Sequence, residues 1–121
     1  MGRSLAALVQ ILTGLFETEK YHASQVQILI PHSRYLEEVE QTSYKPNLKI
    51  GAIKEIQIES IHKFKGLESE VVVMILPSIE SLESETTTDI RSLIYVGMSR
   101  ATSLLILIGD QEVKALANWS P

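Results

Sequence analysis

The run Ile58-Glu59-Ser60-Ile61-His62-Lys63-Phe64-Lys65-Gly66-Leu67-Glu68-Ser69-Glu70-Val71-Val72-Val73-Met74-Ile75-Leu76 decides the fold. It reads as a strand, a polar loop and a second strand. The first strand alternates: Ile56, Ile58 and Ser60 face one way, Gln57, Glu59 and Ile61 the other. Residues 71–76 form an unbroken apolar run rich in β-branched side chains, the pattern of a strand covered on both faces. Between the two strands lie His62, Lys63, Lys65, Gly66 and Glu68. A loop that only joins buried strands needs no such charge, and polar groups held on a loop by a rigid sheet are where function concentrates.

Working outward, residues 3–19 carry Leu5, Leu8, Val9, Leu12, Leu15 and Phe16 at helical spacing, weakened by Gly14 and ended by residues 20–24. This stripe has two readings: packing within the chain, or a surface for an absent domain. Residues 25–31 read as a strand closed by Pro31. Ser33 is an N-cap candidate for a short helix over 34–41, with Tyr35, Leu36 and Val39 inward. Residues 42–47 read as a loop, 48–52 as a short strand or extended connection, and 54–61 as the next strand. After the buried run comes the acidic loop 77–88. Asp89 then caps a helix over 90–101, followed by a buried strand at 104–109, and Asp110 caps a final helix over 112–118. Strands alternating with helices imply one α/β domain over residues 1–121, with a mostly parallel sheet and helices on both faces.

At 121 residues the chain is long enough for a core, and 45% hydrophobic with 21% charged residues is ordinary for a globular protein. There is no cysteine, hence no disulfide or thiolate chemistry, and His22, His32 and His62 are too scattered for a metal-ligand pattern. No apolar run approaches a membrane span, and the N-terminus reads as structure and not as a leader, so a cytoplasmic setting is expected. The net charge of −4 is carried by Glu80, Glu83, Glu85 and Asp89 in one loop, which leaves 11 acidic against 11 basic residues elsewhere. A local cationic site is compatible with that balance; a strong basic face is not.

Self-sufficient catalytic patterns are missing. No glycine-rich turn ends in Gly-Lys-Ser/Thr, so the chain lacks its own P-loop, and no strand ends in paired carboxylates for magnesium. There is no G-x-S-x-G or H-E-x-x-H either. What stands out is Arg100, in Leu93-Ile94-Tyr95-Val96-Gly97-Met98-Ser99-Arg100-Ala101, at a helix end just before a strand. An arginine there reaches an anion supplied by a neighbour.

His62-Lys63-Phe64-Lys65-Gly66-Leu67-Glu68 with its Val-rich strand resembles motif V (about residues 58–70) of the UvrD/Rep-like superfamily 1 DNA helicases. Tyr95-Val96-Gly97-Met98-Ser99-Arg100-Ala101 with the strand after it resembles their motif VI (about residues 93–101). The resemblance implies a RecA-like fold, of the P-loop NTPase type, for the second of two motor domains. ATP would lie between the two, with Mg2+ held by the N-terminal RecA-like domain. Arg100 matches the arginine finger that contacts the γ-phosphate. Glu68 matches the glutamate on the ribose hydroxyls, and Gly66 the glycine where bare backbone approaches phosphate. Ser60 and His62 match the element that contacts single-stranded DNA, and both can donate to phosphate. Lys65 matches the lysine before Gly-Leu-Glu, placed with the DNA contacts or at the nucleotide edge. Tyr95 and Gly97 are expected to shape the helix against the sheet.

The expectation is therefore the C-terminal motor domain of an ATP-dependent DNA helicase, inactive as an ATPase and binding no cofactor by itself. Its partners are the N-terminal RecA-like domain and single-stranded DNA, with self-association a further expectation should truncation expose surface. The alternative is a stand-alone, non-catalytic helicase-like module that binds a protein or nucleic acid.

Overall fold

The computed structural model describes residues 2–30, 33–60, 68–76, 94–95 and 97–109. Four strands form one parallel sheet: β1 (Val26–Ile30), β4 (Gln57–Ser60), β5 (Ser69–Ile75) and β6 (Ala101–Ile108), in the order β4-β1-β5-β6. The interior strands are the most apolar. Every residue of β1 is buried, and so are Val71–Ile75 of β5 and Leu76 just after it. Strands with neighbours on both sides and cover above and below can expose nothing, which is why β5 reads as a continuous apolar run from residue 71 and β1 is apolar apart from Gln27.

One face of the sheet presents Ile58 of β4, Val26, Ile28 and Ile30 of β1, Val71, Val73 and Ile75 of β5, and Ile106 and Ile108 of β6. It is covered by α1 (Gly2–Thr13), whose Leu8 and Leu12 are fully buried, and by Val39 of α2 (Leu36–Glu40). Burial of each such leucine contributes roughly 1.5–3 kcal/mol. Leu5, Val9 and Phe16 pack on the same cluster. The N-terminal stripe is thus an internal core surface and not a face left bare for an absent domain. The helix does not stop at Gly14. It widens into one π-helical turn, Gly14–Thr18, closed by Glu19 N–H donating to the Gly14 carbonyl at 2.9 Å. That turn keeps Leu15 in the core and sets Phe16 edge-on to Tyr44, with ring centroids 6.1 Å apart.

The other face presents Leu29, Val72, Met74 and Leu76, covered by Ile94 and Met98. Helices therefore lie on both faces, as the alternation of elements predicts. Gly97 sets the spacing there: a Cβ on it would lie 1.7 Å from the Met74 methyl. That methyl is the flexible end of its side chain, so a larger residue at 97 must displace it for the helical segment to keep this distance from the sheet.

Several boundaries differ from the sequence reading. Residues 42–47 are no plain loop: β2 (Ser43–Lys45) and β3 (Leu48–Lys49) pair as a small antiparallel hairpin. Residues 50–52 form a 3-10 turn, and a turn at 54–55 delays β4 to Gln57. The helix expected over 90–101 ends sooner, because Ala101 already pairs with Ser69 in the sheet. β6 is also less buried than expected, with Leu104 38% exposed. Its string of apolar residues reads like an interior strand, but the topology puts it at the end of the described sheet. The acidic loop 77–88, the Asp89 cap and the final helix at 112–118 lie outside the described residues.

Candidate functional site

Strand starts and strand ends sort the candidate residues into two groups. Glu68 immediately precedes β5, and Arg100 immediately precedes β6. These strands are neighbours, and the Ser69 N–H donates to the Arg100 carbonyl at 2.9 Å. Glu68 is thus one residue from a direct backbone link to Arg100. Ser60, by contrast, ends β4 and pairs with Ile30 at the far end of β1. β5 is seven residues long. At about 3.3 Å per residue, Ser60 is roughly 20 Å from Glu68 along the strand direction. The sequence places both groups around one polar loop. The fold sends the ends of that loop to opposite ends of the sheet, because β4 and β5 run parallel on either side of β1. Gly66, His62 and Lys65 lie outside the described residues.

The local chemistry of the described members differs. Glu68 is exposed, so its carboxylate is open to a ligand in solvent. Arg100 is half-buried in the turn after the helical segment, where its N–H donates to the Gly97 carbonyl at 3.1 Å. Its side-chain Nε is buried and has no hydrogen-bond partner among the described residues. Ser60 is buried at the strand end, which limits its hydroxyl to whatever approaches that edge directly. Tyr95 departs from expectation. It is 73% exposed, so Gly97 and Ile94, not the tyrosine, seat the segment on the sheet.

Tyr44 packs on Phe16, and the His22 backbone N–H donates to Gln25 Oε1 at 2.7 Å. His32 and Trp119 lie outside the described residues. An open apolar groove of about 460 Å³ lies elsewhere, between the π-helical turn and β6, lined by Ile11, Leu15, Tyr21, Leu104 and Ile106. None of the candidate residues lines it. Sequence reasoning missed Ser69, whose bonds join the starts of three strands. Its only sequence signal is its position directly after Glu68.

Residues 56–108 match the model of the UvrD-like helicase C-terminal domain. This segment, somewhat less than half of the chain, is similar to that family. The UvrD-like segment runs from the residue before β4 to the end of β6, and so contains Ser60, Glu68 and Arg100 together. The parallel sheet, to which β1 contributes from before this segment, is consistent with a RecA-like fold. A search of curated proteins finds no match to the chain. Among the described residues, no helix is long and apolar enough to cross a membrane.

Proposed function

We propose that this chain is the C-terminal motor half of an ATP-dependent DNA helicase and that it does not hydrolyse ATP alone. In this reading it supplies the arginine finger and part of the contacts to ATP and single-stranded DNA. The observation that carries the reading is Arg100. Its Nε is buried without a partner among the described residues, and it stands beside the exposed Glu68 on adjacent strand starts. A desolvated donor left unmade costs free energy, and an anion arriving at that edge would recover it. Triphosphate oxygens fit that demand, and a carboxylate one strand over fits ribose hydroxyls.

A fixed guanidinium needs no proton transfer to act. It stabilises charge that develops on phosphoryl oxygens, and its benefit depends on where it is held. Gly66 would let backbone approach phosphate, while Ser60, His62 and Lys65 would meet the DNA backbone. The roughly 20 Å between Ser60 and Glu68 suits two ligands on two edges of one rigid sheet. The P-loop domain would bring the lysine and the carboxylates for Mg2+. Closing of the two domains around substrate ATP would then be felt at the DNA edge as a rigid-body movement.

The test supplies a UvrD-like P-loop domain as a second polypeptide and measures turnover with single-stranded DNA and magnesium. Turnover is expected only in the mixture, and Arg100→Ala should lower it about 10³-fold or more. Undiminished turnover with Arg100→Ala would remove the arginine-finger assignment.

A further inference from the structure

Ser69 sits between the two candidate nucleotide contacts and ties both to the sheet. Its N–H donates to the Arg100 carbonyl at 2.9 Å. Its hydroxyl donates to the Gln25 carbonyl at 3.2 Å, with the Val71 carbonyl at 3.3 Å as the alternative acceptor. Its own carbonyl accepts from the Thr102 hydroxyl at 3.4 Å. One small residue thus bridges the starts of β1, β5 and β6. Gln25 is itself held in place: its Nε2 donates to Glu70 Oε2 at 2.5 Å, and its Oε1 accepts from the His22 N–H.

The strand register changes at the same point. Ser69 pairs with Ala101, yet Val71 pairs with Leu104, so β6 spends one residue more than β5 over this stretch. Such a bulge bends and twists its strand and re-aims the side chains beside it. Here the extra residue falls between Ala101 and Leu104, shortly after Arg100. Without a further tie, a bulged strand start is a loose support for a group that must be aimed.

We propose that Ser69 is a positioning residue, whose hydroxyl link to β1 and backbone link to Arg100 hold Glu68 and Arg100 in one fixed register. The inference rests on the reading of those two residues as nucleotide contacts. Ser69 does not itself touch the substrate. Alanine keeps the backbone bond and loses the link to β1; threonine keeps the hydroxyl.

Two measurements test this. In the chain alone, the NMR signal of the Arg100 Nε–H group should shift and broaden in Ser69→Ala, stay near its native position in Ser69→Thr, and do so with both variants folded by thermal unfolding. An unmoved signal in Ser69→Ala overturns the proposal without reference to ATP. In the mixture with the P-loop domain, Ser69→Ala should lower kcat about tenfold with KM changed less than twofold, because misaiming weakens transition-state contacts more than binding. Ser69→Thr should recover most of that loss. Full kcat in Ser69→Ala, with Arg100→Ala inactive, would overturn the positioning role and leave the helicase reading intact. Full turnover in Arg100→Ala would overturn the nucleotide reading itself, and the positioning role with it.

Discussion

At the residue scale, two buried polar atoms stand unpartnered among the described residues, and they call for opposite interpretations. Arg100 Nε lies in the turn before β6, where the proposed function supplies an anion; Gln27 Oε1 lies within the sheet. Gln27 is 1% exposed, between Gln57 of β4 and Val72 of β5, and its Nε2 reaches only the Ile28 carbonyl at 3.1 Å. A buried oxygen without a donor costs about 1–3 kcal/mol. Gln27→Leu removes that oxygen at similar volume, so denaturant unfolding should show unchanged or raised stability, by up to about 1 kcal/mol. A loss of more than that would mean the amide is bound by a group beyond the described residues. The sequence shows a glutamine inside an apolar strand but not its missing partner, because satisfaction depends on neighbours brought in from other strands.

At the element scale, the helical residues before Arg100 are placed by Ile94 and Met98 and by the close approach of Gly97. Gly97 rests against Met74, which is fully buried. Gly97→Ala must push either the Met74 side chain or the helical segment, at a cost of about 1–3 kcal/mol. Part of that cost should disappear when Met74 is shortened to valine in the same chain, since contacting residues couple. Additive losses in the double variant would show that the glycine acts otherwise. This element also marks the limit of pattern reading. The helix period is visible at 93–101, but the point where helix yields to strand is set by pairing of Ala101 with Ser69, a contact 32 residues away in sequence. The small hairpin at 43–49 escapes for a similar reason. Its strands are two and three residues long, too short for any alternation to register.

At the scale of the whole molecule, the parallel sheet, the two covered faces and the helicase resemblance were legible. The long apolar runs of β1 and β5 and the two motifs each carry local information. The arrangement of the site was not legible. Ser60 and Glu68 are eight residues apart in sequence, and pattern alone leaves them on one loop. They separate because β1 lies between β4 and β5 and all three strands run the same way. The same topology unites Glu68 with Arg100, which are 32 residues apart.

A chain that holds half of an ATP site, as proposed, should not turn over ATP alone, and an ATPase assay on the chain alone decides this. The assay contains magnesium, is run with and without single-stranded DNA, and has Arg100→Ala beside it. Turnover should be no higher than that of the variant in either condition. Turnover that vanishes with Arg100→Ala would contradict the half-site reading, since a complete site would then be built from this chain alone.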